Sequence, residues 1–388
     1  MFSSFTQVPG NIRRHMFSNI DWLLVAFLIP IIAAGLVTMK SFGEADAFFE
    51  KQLVWVVLSF GIFLFCSQVD FRFLRRTDVL VGLFISLILL LVALFVIGST
   101  LHGAQSWFNF GFFSFQPSDL MKLIVVLMLA KYFSRRHVEI AHFKHIFISF
   151  IYAFIPFIIV FLQPDFGSAM VIFLIWFGMT LVSGISKKHL LLVFVIGALV
   201  FTSLWVFVFK PYQKARIVSF LNPLTDVRKS GYNVYQATIA VGSGQLIGKG
   251  VGYGTQSRLQ FLPEYETDFI FAAFSEEWGF IGGIIILILF GLVIWRILAT
   301  ALIGATNFEM LYGMGIAILF MTHIVINIGM NIGLMPVTGI TLPFMSYGGS
   351  HILMEFTALG ILMGMRKYSR TAHRDDMKNE FLGLEHAV

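Results

Sequence analysis

The chain has 388 residues, 58% of them hydrophobic and only 12% charged, with a mean hydropathy of +0.86. Soluble domains carry about 25% charged residues, so this chain lacks the polar surface to stay in water and reads as a polytopic membrane protein. Its formal charge of +6 and pI near 9.4 would hint at nucleic acid in a soluble protein; cations gathered at cytoplasmic helix ends explain them better, and no nucleic-acid partner is expected.

The first apolar run, DWLLVAFLIPIIAAGLVTM (21–39), follows a polar segment carrying Arg13 and Arg14. It is too long for a signal-peptide core and lacks a convincing small-residue cleavage site, so a retained first helix is expected. Further runs lie near 53–68, 78–98, 118–134, 146–162, 167–184, 189–209, 273–296, 310–329 and 350–366. Together they predict an all-α polytopic membrane protein of about ten transmembrane helices. The single Cys66 falls in the second run, which excludes disulfides within the chain and Cys-based metal sites.

Arg13/Arg14, Arg72/Arg75/Arg76, Arg135/Arg136/Lys144, Lys187/Lys188, Arg296 and Arg366/Lys367/Arg370 all land on one face of that arrangement. The positive-inside rule makes this face cytoplasmic, with both termini inside. One integral membrane domain over 1–388 follows: a cytoplasmic segment 1–20, a large extracytoplasmic loop 210–268 between helices 7 and 8, and a cytoplasmic tail 367–388. Between helices 9 and 10, MNIGLMPVTGITLPFMSYGG (330–349) is too rich in Gly and Pro for a plain helix and too apolar for a solvated loop. Irregular backbone at membrane depth survives only inside protein or along a cavity, so a re-entrant segment capping an outward cavity is expected. Residues 99–117 read as aromatic and turn-forming. No internal repeat, low-complexity tract or separate soluble domain is evident.

Loop 210–268 mixes Lys210, Lys214, Arg216, Arg228, Lys229, Lys249 and Arg258 with Asp226, Glu264, Glu266 and Asp268. These cations read either as an anion site for a lipid phosphate or pyrophosphate, or as ordinary solvated charge. The glycines of VGSGQLIGKGVGYGTQ (241–256) would let backbone N–H groups approach a phosphate closely. The stretch neither follows a strand nor opens a helix, so a dinucleotide site is rejected, and no Walker lysine precedes a Ser or Thr.

Asp268 sits where this loop meets the apolar run FIFAAF. A carboxylate there can act as a general base or bind a divalent cation; equally, Thr267 or Asp268 can cap a helix, and both readings can hold together. Glu276 and Glu277 are either embedded acids in a functional or paired role, or interfacial residues of a span that starts near 277. QPSDLMK (116–122) sets Asp119 and Lys122 three apart on one helix face, close enough to pair, and QPDFGSA (163–169) puts Asp165 on a short turn. Each alone reads as a cap or turn residue; their arrival on one face with Asp268 predicts a polar outward cavity. Trp107 reads as an interfacial belt residue or as a sugar-stacking one.

GAQSWFNFGFFSFQPSDLMK, FLQPDFGSA, GSGQLIGKGVGYGTQSRLQFLPEYETDFIFAAFSEEWGF and MPVTGITLPFMSYGGS stand in the order found in the SEDS family (shape, elongation, division and sporulation). The chain resembles these membrane-embedded peptidoglycan glycosyltransferases from its first span to about residue 366, and is more similar to the elongation (RodA-like) branch than to the division (FtsW-like) branch. The resemblance implies an inverting enzyme of the bacterial cytoplasmic membrane. It would polymerise lipid II, carried on undecaprenyl pyrophosphate, at the outer face during cell elongation. The aspartate of the matched LPE…TDF motif is Asp268, implied to take the proton from the acceptor hydroxyl. A pyrophosphate leaving group needs positive charge near it, for which Lys122, Lys249, Arg216 and Arg258 are candidates. The matched motifs also supply Asp119, Glu264, Thr267, Asp165, Trp107, Gln116 and Ser346 as substrate-binding residues. A divalent cation, magnesium or manganese, could share the leaving-group role with Asp268 as a ligand. Implied partners are a class B penicillin-binding protein and other elongation-complex proteins.

Three departures stand out: Ser106 where a basic residue often precedes the tryptophan, PSD in place of PSE at Asp119, and His351 in place of a serine after SYGGS. His351 could pair with Glu355, four residues on. Two other classes compete with the enzyme. A lipid-precursor flippase would show ionisable groups and broken helices near the midplane, and a non-catalytic scaffold for a penicillin-binding protein would not need Asp268.

Overall fold

The computed structural model describes residues 19–41, 46–101, 104–109, 111, 114–135, 143–207, 214 and 230–381. Its long helices are α1 (Trp22–Lys40), α2 (Asp46–Gln68), α3 (Thr77–Ile97), α4 (Pro117–Ser134), α5 (Phe143–Leu162), α6 (Phe166–Val182) and α7 (Lys187–Phe207). Two shorter helices follow, α8 (Ser230–Ser243) and α9 (Thr255–Arg258), then α10 (Ile270–Leu302), α11 (Asn307–Asn331) and α12 (Gly349–Phe381). Each of the predicted apolar runs falls on one of the long helices. Among the described residues, six helices are long and apolar enough to cross a membrane: α1, α2, α3, α5, α10 and α11. α4 instead carries Asp119, Lys122 and Lys131 within its 18 residues.

The fold is mostly helical rather than all-α. Ser99–Leu101 (β1), Ala104–Asn109 (β2) and Ser114–Phe115 (β3) form an antiparallel sheet in the order β1-β2-β3. Trp107 pairs with Ser99, and Phe108 with Phe115. At the β2–β3 reversal, Gly111 has φ 82° and donates its N–H to Asn109 Oδ1 at 2.9 Å. This is the side-chain turn that Asn-x-Gly sequences favour.

Residues 230–268, the described end of the predicted loop, are likewise more ordered than a loop. α8 buries Val234, Ala237 and Ala240, spaced by three residues, which is one face of a helix. The two alanines pack with Leu262, Phe269, Ala272 and Ala273 into a small apolar cluster beside the start of α10.

α10 is broken at Gly279, where φ 68° and ψ −167° leave the helical region. The chain after α8 seals that break: Lys249 and Gly250 donate backbone N–H groups to the carbonyls of Glu276 and Glu277 at 3.0 Å, and Phe280 N–H returns to Gln245 O at 2.8 Å. A Cβ on Gly248 would lie 2.1 Å from Glu277 O. The glycines expected to bring backbone to a phosphate therefore bring it to another stretch of backbone, and their N–H groups at 248 and 250 are taken within the protein.

Residues 332–348 run irregularly between α11 and α12, with Thr338, Ile340, Leu342, Phe344, Met345 and Ser346 buried. At the other end of the bundle, cations meet buried acids. Arg296 and Arg366 approach Asp21 at 2.7 and 3.4 Å, and Arg75 pairs with Glu309.

Candidate active site

A cavity of about 670 Å³ lies where the irregular 332–348 segment meets the starts of α4, α10 and α12. Its wall includes Trp107, Gln116, Asp119, Lys122, Asp165, Glu264, Thr267 and Asp268. Eight of the residues singled out in the sequence, from three separate motifs, thus share one space.

Asp268 is half-buried and is positioned through its backbone. A tight turn precedes it: Thr267 and Phe269 both donate to Glu264 O, at 3.2 and 3.1 Å, and Thr267 Oγ1 donates to Glu264 Oε2 at 3.2 Å. The Asp268 carbonyl accepts from Asn327 Nδ2 at 2.9 Å and Asn331 Nδ2 at 3.0 Å. Neither Thr267 nor Asp268 caps α10. Its N-cap is Phe269, which offers no side-chain acceptor, and Asn331 Oδ1 accepts the Ala272 N–H at 2.9 Å instead. Capping in trans by α11 removes that task from the Asp268 carboxylate.

Asp119 and Lys122 pair as their spacing predicts, with Nζ 3.0 Å from Oδ1 and both side chains almost wholly buried. An ammonium has three N–H donors, and among the described residues one is taken, by Asp119, which leaves two for an anion in the cavity. Asp165 caps α6 by accepting from Ser168 N–H at 3.0 Å, and its other oxygen accepts from Gln116 Nε2 at 2.9 Å. Gln116 N–H in turn donates to Ser350 Oγ at 3.2 Å. The turn residue and the wall residue are therefore one network. Trp107 is half-buried on β2 against the cavity.

Other candidates lie elsewhere. Lys249 donates to Glu276 Oε1 at 2.6 Å and Thr255 Oγ1 at 2.9 Å and is not on the wall. Arg258 ends α9, also off the wall. Ser346 is one residue behind it: its hydroxyl donates to Thr267 O at 2.6 Å and accepts from Leu342 N–H at 2.8 Å, which ties the irregular segment to the Asp268 turn. Arg216 falls outside the described residues. Glu276 and Glu277 are buried within the protein, just before the break in α10. Glu276 Oε1 accepts from Thr255 N–H at 2.9 Å and Gln256 N–H at 3.1 Å, and Glu277 Oε1 from Gly252 N–H at 2.7 Å. Two acids at a helix break supply acceptors for the turn at Gly252 and for the first N–H groups of α9.

The cavity also takes Lys51 and Trp55 from α2, Tyr347, and His323 and His351. Lys51 and Trp55 are four apart in an apolar run, as are Asn327 and Asn331. Polar side chains at helical spacing inside a span were the signal that could have found them. Among the described residues no group of three or more His, Cys, Asp or Glu is placed to hold a metal ion.

A mostly helical bundle with apolar spans sets a half-buried acid, Asp268, and a buried lysine, Lys122, on the wall of one cleft, the pairing of a proton acceptor with a cation that acid–base chemistry on an anionic ligand calls for. The family model described as cell cycle protein, covering FtsW, RodA and SpoVE, matches residues 14–371. Stage V sporulation protein E of Bacillus subtilis is 36% identical over 360 residues, 90% of this chain and 98% of that one. The peptidoglycan glycosyltransferase MrdB of Escherichia coli K12 is 34% identical over 348 residues, covering 90% and 93%. Among solved structures, RodA of Thermus thermophilus aligns with a TM-score of 0.67 at 28% identity, covering 89% and 96%. A chain from work on the structural coordination of polymerization and crosslinking by a peptidoglycan synthase complex aligns at 0.78 and 30%, covering 90% and 98%. The chain belongs to the FtsW/RodA/SpoVE (SEDS) family.

Proposed function

We propose that this protein polymerises lipid II into β-1,4 glycan strands at the outer face of the bacterial cytoplasmic membrane, as the elongation-type polymerase. The glycosyltransferase activity rests on the family and on relatives that carry that name. The observation that carries the reading is Asp268 and the Asp119–Lys122 pair on the wall of one cavity.

The acceptor 4-hydroxyl attacks the donor anomeric carbon. The O–C bond forms as the bond to the lipid pyrophosphate breaks, which inverts the α-linkage to β. Asp268 takes the hydroxyl proton, and one base suffices for a single displacement. Negative charge grows on the departing pyrophosphate, where the two remaining Lys122 donors act. Asp119 orients that ammonium. Trp107 and Tyr347 supply flat faces for sugar rings. Magnesium is usually held by one or two carboxylates plus substrate phosphates, so Asp268 together with pyrophosphate oxygens would suit such an ion, which would add positive charge to the leaving group.

All ten long helices then cross the membrane, with Arg75, Arg296 and Arg366 at the cytoplasmic end, both termini inside and the cavity outside. A class B penicillin-binding protein is the expected partner.

Purified protein given lipid II should yield polymer that a muramidase degrades. Asp268→Asn keeps the backbone bonds from Asn327 and Asn331 and should melt like wild type while making no polymer, with a chelator arm testing the ion. Movement of labelled lipid between leaflets without polymer would overturn the enzyme, and an active Asp268→Asn would overturn the base.

A further inference from the structure

His351 stands between two buried acids that belong to different helices. Its Nδ1 is 3.6 Å from Asp119 Oδ1, on α4, and its Nε2 is 2.9 Å from Glu355 Oε1, one turn along α12. Glu355 is fully buried, and its Oε2 accepts the Phe344 N–H at 3.0 Å. The Nε2 approach is close yet off the hydrogen-bond axis, so it is chiefly charge against charge. The opposite face of the ring is stacked on His323 of α11, with centroids 4.8 Å apart and planes 24° from parallel.

Each ring nitrogen of His351 thus faces a carboxylate. A neutral imidazole carries one N–H and one lone pair, and a lone pair directed at either oxygen would be repelled. Counting charge leads to the same place. Asp119 and Glu355 bring two buried negatives to the cluster, and Lys122 brings one positive. Buried charges persist when paired, and the ring is the group placed to supply the second positive. His323 does not supply it. Its Nδ1 lies 3.2 Å from Thr341 O and so carries the proton, while its Nε2 has no partner among the described residues, as suits a neutral ring.

We propose that His351 is a buried imidazolium that balances Asp119 and Glu355 and thereby holds the Asp119–Lys122 pair in the orientation that serves the leaving group. It is a positioning residue, because it acts through Asp119, and its catalytic meaning rests on the polymerase reading. The groups around it are Asp119 and Lys122 from α4, Glu355 from α12, His323 from α11 and the Phe344 amide from the irregular segment.

The test uses the full-length protein in lipid nanodiscs with ¹⁵N-labelled histidine rings, alongside His351→Gln and Glu355→Gln. Wild type at neutral pH should show a doubly protonated ring that is absent from His351→Gln and turns into a neutral tautomer in Glu355→Gln. A neutral His351 signal in wild type overturns the proposal. With lipid II, His351→Gln should lose roughly 10- to 100-fold in kcat, the size expected when a reacting group is misplaced. KM should change little, because the effect is on developing charge. Unchanged kcat, or a loss confined to KM, also overturns it. Should His351→Gln fold poorly, Glu355→Gln carries both readouts. The ring signal is read without turnover, so a preparation that makes no polymer sinks the polymerase reading alone and still decides the charge of His351.

Discussion

Asn331→Leu separates the placing of Asp268 from its chemistry. Asn331 makes three kinds of bond at once: Oδ1 accepts from Ala272 N–H, and Nδ2 donates to Asp268 O and to Asn327 O. Leucine is close in volume and suits the apolar interior, so packing is nearly conserved. Asp268 O keeps Asn327 Nδ2 at 2.9 Å, but Ala272 is fully buried and its N–H loses its acceptor. One orphaned buried donor costs about 1–3 kcal/mol, and the lost bond to Asp268 adds about 1 more, giving roughly 2–4 kcal/mol of destabilisation. With its cap gone and one of two carbonyl anchors removed, the Asp268 turn shifts, and a misplacement of about 1 Å costs on the order of 100-fold in rate. Asn331→Asp keeps the acceptor for Ala272 and loses the donors. Thermal melting and polymerisation from lipid II should be measured on both. If Asn331→Leu melts lower yet polymerises at the wild-type rate, Asp268 is not placed through its backbone and the argument fails.

Lys122→Met should lower polymerisation by roughly 10²- to 10³-fold, the usual cost of losing a donor to developing charge. Since it also leaves Asp119 short of a partner, Asp119→Asn/Lys122→Met is the companion: recovered melting without recovered activity would locate the role of Lys122 in the chemistry. Gly248→Ala meets the Glu277 carbonyl and a φ of +89°, and should destabilise by at least about 1–3 kcal/mol. Gly242→Ala, which meets nothing within 4 Å, should be silent by size-exclusion chromatography and melting.

Helix positions were legible because a bilayer imposes one length on every apolar run. The Asp119–Lys122 and His351–Glu355 pairs were legible because both are local, three and four residues apart on one helix. What failed to show was anything that depends on which distant element lies opposite. The Thr267–Asp268 cap was locally sound, but an asparagine 59 residues from the amide it caps took its place. The glycines of 241–256 announced close backbone approach correctly and misdirected as to the partner, which is the break at Gly279. Lys249 looks like a free cation in sequence and is a counter-ion to Glu276 in space. The strands at 99–115 hid because aromatic residues suit a pleat and a membrane rim equally well.

The distribution of charge through the molecule follows one constraint. A bundle this apolar retains acids in its interior only where each has a donor, and the donors differ in kind. Glu276 and Glu277 are met largely by backbone N–H groups and one lysine, which fixes a loop in place and leaves that lysine's ammonium engaged with an acid and a hydroxyl. Asp119 is met by a lysine and an imidazole, both side chains on the cavity wall, so its partners keep donor capacity that can turn toward a ligand. Counting acids in the sequence cannot separate these two cases. Asking whether the donor is backbone or side chain can, and it selects the Asp119 cluster, on the same cavity wall as Asp268, as the place proposed to bind an anionic substrate.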